Sequence, residues 1–270
     1  MHQFDLTDRV AIVSGTASGM GRAMATAFAE AGAHVVLLDI NQAGNEETAH
    51  TLSALGPRAL PVTCDVSDYA QIDHVFAVVD KEFGRVDVLG NVAGNGTQRA
   101  AEEITMAEFT EVFQSLVFGR FYATQQAGRR MLRQGKGSIM SIGSIAGVSS
   151  LARQQSTYGM AMAAVIHMTR ELSTEWSGRG VRVNAILPAQ VMNAGLDARI
   201  RKEPYLRDTF LHGIPIGRFG HPDDIKGLAL WLASDASSWI TGTIIPMDGG
   251  NLAMNAGGGL LGNPAHHLAV

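Results

Sequence analysis

The sequence of 270 residues predicts an α/β fold with a doubly wound parallel sheet of about seven strands and helices on both faces. Three observations predict it. Short apolar runs rich in β-branched residues alternate with segments whose apolar residues recur at helical spacing. Three glycines lie between the first such run and the first helix, and the second run ends in an aspartate. Because strands joined by helices pair in parallel through right-handed crossovers, this alternation builds one sheet between two helical layers.

The elements follow this alternation along the chain. Residues 10–14 form the first strand, and the glycine-containing turn after it leads into the first helix. Two long helices are predicted over residues 106–132 and 158–176, and each precedes a strand. The strands after the first are predicted within the runs HVVLLD, RALPVTCD, RVDVLGNVAG, KGSIMSIGS and GVRVNAILP.

No linker or shift in composition divides the chain, so residues 1–270 are predicted to form a single domain. Two segments lie outside the alternation. Residues 190–214, after the sixth strand, are interpreted as a substrate lid. The glycine-rich residues 251–270 are interpreted as a C-terminal tail that is either ordered or frayed.

Composition excludes several classes of protein. With 46% apolar and 17% charged residues the chain can bury a large core, so intrinsic disorder is excluded. A net charge of -4 provides no basic stripe, and we therefore expect no nucleic-acid partner. No apolar run is long enough to span a membrane, and the polar start does not resemble a signal peptide, so we expect a cytoplasmic protein without membrane contact. The single cysteine, Cys64, lacks neighbours for a metal-ligand cluster, and no metal is expected.

The run VAIVSGTASGMGRA carries a candidate nucleotide site. Gly15, Gly19 and Gly21 lie between a strand and a helix, where glycine lets the backbone approach a pyrophosphate at the helix start. The second strand ends in Asp39, whose carboxylate can accept both hydroxyls of an adenosine ribose. This context predicts a Rossmann-type dinucleotide-binding domain. A tight turn beside a solvated aspartate is the alternative interpretation.

Asp39 also predicts which dinucleotide binds. Its carboxylate would repel a phosphate on the ribose, and neither Ala17 nor Ile40 offers the cation that such a phosphate needs. The cofactor is therefore predicted to be NAD rather than NADP.

From about residue 5 to 250 the chain resembles the short-chain dehydrogenase/reductase family. SGTASGMG is similar to the family's glycine motif, with Ser14 in place of threonine, and DVLGNVAG, GSIMSIGSIAG and VRVNAILPAQVMN match further family segments. The C-terminal run from GRFGHPDD to PMDGG is also similar. The resemblance implies a small-molecule substrate, a homotetramer, and Ser144 and Tyr158 as the catalytic residues. It assigns the cofactor to Gly15, Ser18, Gly19, Met20, Asp39, Ile40, Asp65, Val66, Asn91, Ala93, Gly94, Tyr158, Pro188, Val191 and Asn193.

The same resemblance exposes two departures at the catalytic site. The family has lysine four residues after its tyrosine, where this chain has Met162, and asparagine in the preceding long helix, where this chain has Leu116. Ala189 and Asn193 replace a glycine and a threonine. No lysine lies near in sequence. Arg99 and Arg153 lie in loops that could reach the cleft, and a solvated position is the alternative for each.

A phenol without a nearby cation has a pKa of about 10 and is protonated at neutral pH. Alcohol oxidation needs the phenolate, whereas carbonyl reduction uses the neutral phenol, so we expect a weakened site in which oxidation suffers more. The leading hypothesis is an NAD(H)-dependent oxidoreductase interconverting an alcohol and a ketone on an apolar small molecule. The alternatives are a nucleotide-binding protein without redox turnover, or non-redox chemistry on the same scaffold.

Overall fold

A computed structural model describes residues 2–151 and 153–254 of the chain. Its centre is one sheet of seven parallel strands in the order β3-β2-β1-β4-β5-β6-β7. This confirms the predicted fold class. The strands are β1 (Val10–Ser14), β2 (His34–Asp39), β3 (Ala59–Thr63), β4 (Val88–Asn91), β5 (Gly137–Ile142), β6 (Val181–Pro188) and β7 (Ile244–Met247).

The strand order reverses at β1, which pairs with β2 on one side and β4 on the other. From there the chain builds outward in both directions, so the loops leaving β1 and β4 diverge. A crevice opens between them at the carboxyl edge of the sheet, where open α/β sheets bind their ligands. The functional site is therefore expected above β1 and β4.

Helices cover both faces of the sheet. Along β1, Ala11 and Val13 pack in the cluster that contains Phe28, while Val10 and Ile12 pack in the cluster that contains Phe76. This alternation follows the two-residue period of a strand. The described α-helices are α1 (Gly19–Glu30), α2 (Gln42–Ser53), α3 (Tyr69–Glu82), α4 (Met106–Phe113), α5 (Gly119–Gln134), α6 (Ser156–Trp176), α7 (Ala194–Lys202), α8 (Tyr205–His212) and α9 (Lys226–Ala233).

The long helix predicted over residues 106–132 is interrupted near its middle. Between α4 and α5, Gln114–Phe118 forms a π-helical segment, whose hydrogen bonds span five residues instead of four. The chain continues without a turn, so the helix itself was correctly predicted and its internal geometry was not. α5 ends at Gln134, and Gly135, which has a φ of 71°, caps the helix in the left-handed conformation.

Residues 190–214 contain α7 and α8. Apolar residues of this segment, including Leu206, Phe210 and Ile214, pack together and against Phe219 in a cluster of their own. Its role as a lid stays a prediction. Of the predicted tail, residues 255–270 lie outside the described residues. No helix among the described residues has the length and apolar character needed to cross a membrane.

Candidate active site

The turn between β1 and α1 has the backbone conformation that a pyrophosphate requires. Gly15 and Gly19 have positive φ angles of 74° and 56°, which residues with a Cβ rarely adopt. A Cβ atom on Gly21 would overlap the Gly15 carbonyl oxygen. Among the described residues, Ser18 makes no side-chain cap on α1, so the first N–H groups of the helix can meet an anion. The turn therefore fits a dinucleotide.

Ser14 joins the ends of β1 and β4. Its Oγ accepts hydrogen bonds from the backbone N–H groups of Val92 (2.9 Å) and Ala93 (3.1 Å). Gly15 lies so close to this segment that an added Cβ would be 3.2 Å from the Ala93 nitrogen. The serine that replaces threonine in the glycine motif thus keeps the two strand ends together and holds Ala93 beside the glycine turn.

Asp39, at the carboxyl end of β2, closes one end of this region. Its two carboxylate oxygens accept hydrogen bonds from the backbone N–H groups of Ala17 and Asn41, both at 2.9 Å. Each oxygen can accept a further bond, as ribose recognition needs. Arg22 donates to the Ala17 carbonyl at 2.5 Å and lies 3.6 Å from Glu47. Arg22 thus shares Ala17 with the aspartate, and its charge is partly neutralised by Glu47.

The loop after β3 borders the same region. Asp65 accepts hydrogen bonds from the Ser67 N–H (2.8 Å) and hydroxyl (2.7 Å), which fix the turn. Burial raises the pKa of the neighbouring Cys64 thiol to about 11. Cys64 is therefore a protonated packing residue and no nucleophile at neutral pH. A Cβ on Gly119 would overlap the Val66 carbonyl oxygen, which ties the start of α5 to this loop.

These segments enclose a cleft of about 380 Å³ over the carboxyl ends of β1, β2 and β4. It brings together most of the residues assigned to the cofactor from the sequence. Those that line it are Gly15, Ser18, Gly19, Met20, Asp39, Ile40, Asp65, Val66, Ala93, Gly94, Val191 and Asn193.

Three assigned residues do not line this cleft: Asn91, Pro188 and Tyr158. Asn91 is buried, and its amide donates to the Thr124 hydroxyl at 2.9 Å and reaches the Ser141 hydroxyl at 3.4 Å. Pro188 is the buried last residue of β6. Both are thus buried last residues of strands and do not reach the cleft surface.

At the mouth of the cleft, Asn193 caps α7. Its side-chain oxygen accepts from the Leu196 N–H at 2.9 Å, and its amide donates to the Val191 carbonyl at 3.2 Å. The asparagine thus sets where the first helix of the predicted lid begins.

Ser144 follows the end of β5. Its Oγ accepts a hydrogen bond from the Ala146 N–H at 3.1 Å and begins the short helix Ile145–Gly147. No acceptor among the described residues takes its hydroxyl proton, so the group can donate to a substrate oxygen. This short helix packs on the start of α6, since a Cβ on Gly159 would be 3.1 Å from the Ala146 carbonyl oxygen.

Tyr158 lies in the first turn of α6 and is half-buried. The chain after β4 passes directly over its ring: a Cβ on Gly96 would be 2.6 Å from a ring carbon of Tyr158. Two hydrogen bonds hold this passage in place, from Gln98 to the Arg153 carbonyl and from the Arg99 N–H to the Gln154 carbonyl, both at 2.9 Å. The ring is therefore confined between α6 and the loop that continues from the cleft.

Leu116 and Met162 meet beside Tyr158. Each is 1% exposed, and they share an apolar cluster with Val112, Ala161 and Val165 against which the tyrosine packs. Leu116 lies in the π-helical segment Gln114–Phe118. The two positions that depart from the resemblance are thus in one dry patch next to the phenol.

A buried arginine lies at the other side of this patch. Arg120 is 4% exposed. Its guanidinium donates to the carbonyl oxygens of Ala93 (2.9 Å and 3.2 Å), Val92 (3.1 Å) and Ile142 (2.5 Å), at the ends of β4 and β5. Burial lowers the pKa of Arg120 to about 10, and the charge of Tyr158 partly opposes this shift. The side chain remains cationic at neutral pH.

A larger cavity of about 730 Å³ lies at the opposite edge of the sheet, between the amino ends of β5 and β6 and the segment near Trp239. We give it no part in the site, because parallel sheets bind ligands at their carboxyl edge. Within the part of the chain that the structure describes, no group of three or more His, Cys, Asp or Glu side chains could hold a metal ion.

Comparison with known proteins identifies the family. A family model described as enoyl-(acyl carrier protein) reductase matches residues 15–251. The chain belongs to the short-chain dehydrogenase/reductase family. This confirms the predicted family and enzyme class.

Relatives of this short-chain dehydrogenase/reductase are similar along nearly its whole length. D-threitol dehydrogenase of Mycolicibacterium smegmatis is 37% identical, over 92% of this chain and 94% of its own. NAD-dependent glycerol dehydrogenase of Listeria innocua is 35% identical, over 92% and 95%. A solved structure from Beutenbergia cavernae, described as an NAD(P)-dependent gluconate 5-dehydrogenase with NADP bound at low occupancy, has a TM-score of 0.88. It is 35% identical, over 93% of this chain and 99% of its own.

Within this short-chain dehydrogenase/reductase, the sequence interpretation missed Arg120. It considered Arg99 and Arg153 as cations near the cleft. Arg99 is paired with Glu108 at 2.9 Å, and Arg153 lies over the Phe210 ring at 4.3 Å from its centroid. Arg120 lies four residues after Leu116, on the inward face of the helix, and an arginine in that apolar stripe was the available signal.

Proposed function

We propose that the protein is an NAD(H)-dependent oxidoreductase that interconverts an alcohol and a ketone, with Tyr158 as acid/base and Ser144 binding the reacting oxygen. One observation carries this proposal. The Ser144 hydroxyl, free to donate, lies in a segment packed on the turn of α6 that bears Tyr158, beside a cleft that fits a dinucleotide.

Each residue has a distinct task. The nicotinamide, when bound, supplies or accepts the hydride. During reduction, Ser144 donates a hydrogen bond to the carbonyl oxygen and Tyr158 gives that oxygen a proton. During oxidation, Tyr158 takes the hydroxyl proton while Ser144 holds the oxygen. The loop over the tyrosine ring restricts the direction from which the substrate oxygen arrives.

The choice of NAD rests on Asp39. A phosphate on the adenosine ribose would lie against this carboxylate, and Arg22, the nearest cation described above, is shared between the Ala17 carbonyl and Glu47. Two negative groups in one small site repel each other. We therefore propose that NADH binds more tightly than NADPH.

We propose that catalysis is weaker than the family pattern implies, because Met162 and Leu116 are apolar. Reduction suffers less than oxidation, since the neutral phenol already carries the proton to be donated. The resulting activity is carbonyl reduction faster than alcohol oxidation at neutral pH.

A second function is supported by the same two residues. A protein with an intact cleft and an apolar patch beside Tyr158 could bind NAD without redox turnover. Steady-state oxidation of NADH with a panel of ketones, run beside calorimetry of NADH binding, separates the two. Turnover supports the oxidoreductase, whereas tight binding without turnover on any ketone supports the binding protein.

We propose an apolar small molecule as substrate, because Met192 lines the cleft mouth and apolar lid residues surround it. These lid residues also pack against one another, and two relatives are named for threitol and glycerol. The ketone panel should therefore contain both apolar and polyhydroxylated compounds. Higher activity on the polyhydroxylated set contradicts the apolar assignment.

We also propose a homotetramer in the cytoplasm. Met106, Phe118 and Phe121, in α4, the π-helical segment and α5, are 72%, 45% and 44% exposed, and Met160 on α6 is 48% exposed. Apolar side chains exposed on neighbouring long helices favour pairing between subunits. Light scattering that returned the monomer mass of 28.6 kDa at micromolar concentration would contradict assembly.

A further inference from the structure

Arg120 is a cation buried without a carboxylate. Its side chain is 4% exposed, and among the described residues its hydrogen bonds go only to backbone carbonyl oxygens. A buried charge is costly unless an opposite charge compensates it. A neutral amide could donate the same hydrogen bonds to these carbonyl oxygens. The positive charge of Arg120 therefore needs an explanation other than hydrogen bonding.

The guanidinium lies directly beneath the cleft. It bonds the carbonyls of Val92 and Ala93, and Ala93 lines the cleft wall. A Cβ on Gly94, which also lines that wall, would be 3.5 Å from the Arg120 Nη2. The same Cβ would overlap the side chain of Leu116. Arg120 thus borders the patch in which Tyr158, Leu116 and Met162 pack together.

Arg120 and Tyr158 are electrostatically coupled. The low-dielectric burial that lowers the pKa of Arg120 is opposed by Tyr158, whose phenolate stabilises the guanidinium. The guanidinium and the phenol therefore interact across this patch. Because Leu116 and Met162 exclude water from the patch, this attraction is weakly screened.

We propose that Arg120 is a positioning residue that supplies positive charge for ionising Tyr158 and so compensates in part for the cation that Met162 does not provide. This inference rests on the proposed function of Tyr158 as acid/base. Arg120 touches neither substrate nor the reacting atoms in this assignment. It acts through the tyrosine, by holding a charge beneath the cleft floor, and so reaches the phenol from α5 instead of from α6.

The other charged groups near Tyr158 are committed elsewhere. On the loop over the ring, Arg99 is paired with Glu108 of α4 at 2.9 Å. On the loop before α6, Arg153 lies over the Phe210 ring. On α6 itself, His167 is more than two turns from the tyrosine and pairs with Glu171 at 3.1 Å on the exposed face.

The test follows the ionisation of the Tyr158 ring directly, in the full chain without substrate. Tyrosine labelled with ¹³C at Cζ gives one NMR resonance per ring, and Tyr158→Phe assigns the relevant one. In Arg120→Met we expect the pH of half-ionisation of this ring to rise by about 1 unit or more. In Arg120→Met with Met162→Lys, which moves the cation to α6, we expect the midpoint to return toward that of the unmodified chain.

Arg99→Met is the matched control, because it removes a partly exposed arginine from the same region. It should leave the Tyr158 midpoint unchanged. A purely structural Arg120 predicts a lower melting temperature in Arg120→Met with no movement of the midpoint, and that result overturns the inference. An equal shift in Arg99→Met overturns it too.

Two measurements cover the case in which Arg120→Met does not fold. Arg120→Lys keeps the charge and should keep the midpoint, while losing the bidentate carbonyl contacts. In the unmodified chain, the midpoint of the Tyr158 ring should lie below that of the exposed Tyr69 ring in the same spectra. A Tyr158 midpoint at or above that of Tyr69 contradicts the inference.

The outcome is separable from that of the proposed function. If the Tyr158 midpoint depends on Arg120 but the protein does not turn over NADH, the role of Arg120 is supported and the oxidoreductase activity is contradicted. If the protein turns over NADH but the Tyr158 midpoint does not depend on Arg120, the activity is supported and the role of Arg120 is contradicted.

Discussion

The proposed cofactor end and the proposed catalytic end of the cleft differ in the chemical groups that form them. At the cofactor end, contacts come from backbone N–H groups, positive-φ glycines and Asp39, as in the turn from Gly15 to Gly21. At the catalytic end, Tyr158 packs against Leu116 and Met162, which are apolar and buried. We therefore expect the affinity for a dinucleotide to depend mainly on chain geometry, and the rate of turnover to depend on a few side-chain charges.

This difference means that binding and turnover can change independently. A substitution at residue 162 leaves the glycine turn unaltered, because the two regions share no side chain. The variants that follow test whether the two ends are as separate as the structure indicates.

Removing the phenol should have the largest effect on rate. In Tyr158→Phe we expect ketone reduction to fall by about 10³-fold, within the range for loss of an acid/base group. NADH affinity should change little, because the glycine turn is intact. Steady-state kinetics and calorimetry measure the two quantities, and Tyr69→Phe, an exposed ring on α3, is the control. A parallel loss of NADH affinity would show that the two ends of the cleft are not independent.

A methyl group in the glycine turn should act on the opposite end. In Gly21→Ala the added Cβ would overlap the Gly15 carbonyl oxygen, and such overpacking costs about 1–3 kcal/mol. We expect NADH to bind about 10- to 100-fold more weakly. Gly227→Ala on α9 adds the same methyl group where no atom lies within 4 Å. Equal affinity in both variants would show that the turn is not the binding site.

A lysine beside the phenol should change the ratio of alcohol oxidation to ketone reduction. In Met162→Lys we expect alcohol oxidation to rise about 10-fold more than ketone reduction, because only oxidation needs the phenolate. Leu116→Asn should add to this only when the lysine is present. Met160→Lys, on an exposed position of the same helix, controls for net charge. Melting temperatures must accompany the rates, since Met162 is buried, and an unchanged ratio in a folded variant would contradict the assignment.

The cofactor preference should be the smallest effect. We expect NADH to bind at least about 10-fold more tightly than NADPH, which corresponds to about 1.4 kcal/mol. In Asp39→Asn this preference should shrink, because the negative charge next to the ribose is gone. Glu46→Gln, an exposed carboxylate on α2, controls for overall charge. Calorimetry with NADH and NADPH measures this preference. Equal affinities in the unmodified chain would contradict the prediction that NAD is the specific cofactor.

The sequence pattern predicted the fold class, because this fold depends on the periodicity of apolar residues. Each βα unit has its own apolar run and helix, and parallel pairing with right-handed crossovers places helices on both faces of one sheet. Periodicity did not predict the π-helical segment at Gln114–Phe118, because one additional residue in a turn barely alters the spacing of apolar positions.

Most residues assigned to the cofactor come together in one cleft, since they lie at strand ends that the fold brings together, and their role in binding stays a prediction. The environment of Tyr158 was less predictable. Arg120 is 38 positions away in sequence, and the interpretation sought cations in the segments next to the tyrosine. Leu116, Arg120, Ala123 and Ala127 share one buried stripe, but the sequence does not show which groups the charge in that stripe contacts in the folded chain.

In the π-helical segment between α4 and α5, a deletion and a point substitution have different structural effects. The wide turn of this segment is set by the number of residues in the chain, and Gln114 anchors it to the Ser67 carbonyl at 2.9 Å. Only a deletion or a loss of such anchors would narrow it. The side chain at position 116, by contrast, is exchanged by a point substitution. Position 116 can therefore hold an apolar or a polar side chain on the same backbone, so the chemistry at the bend can change without rebuilding the helix.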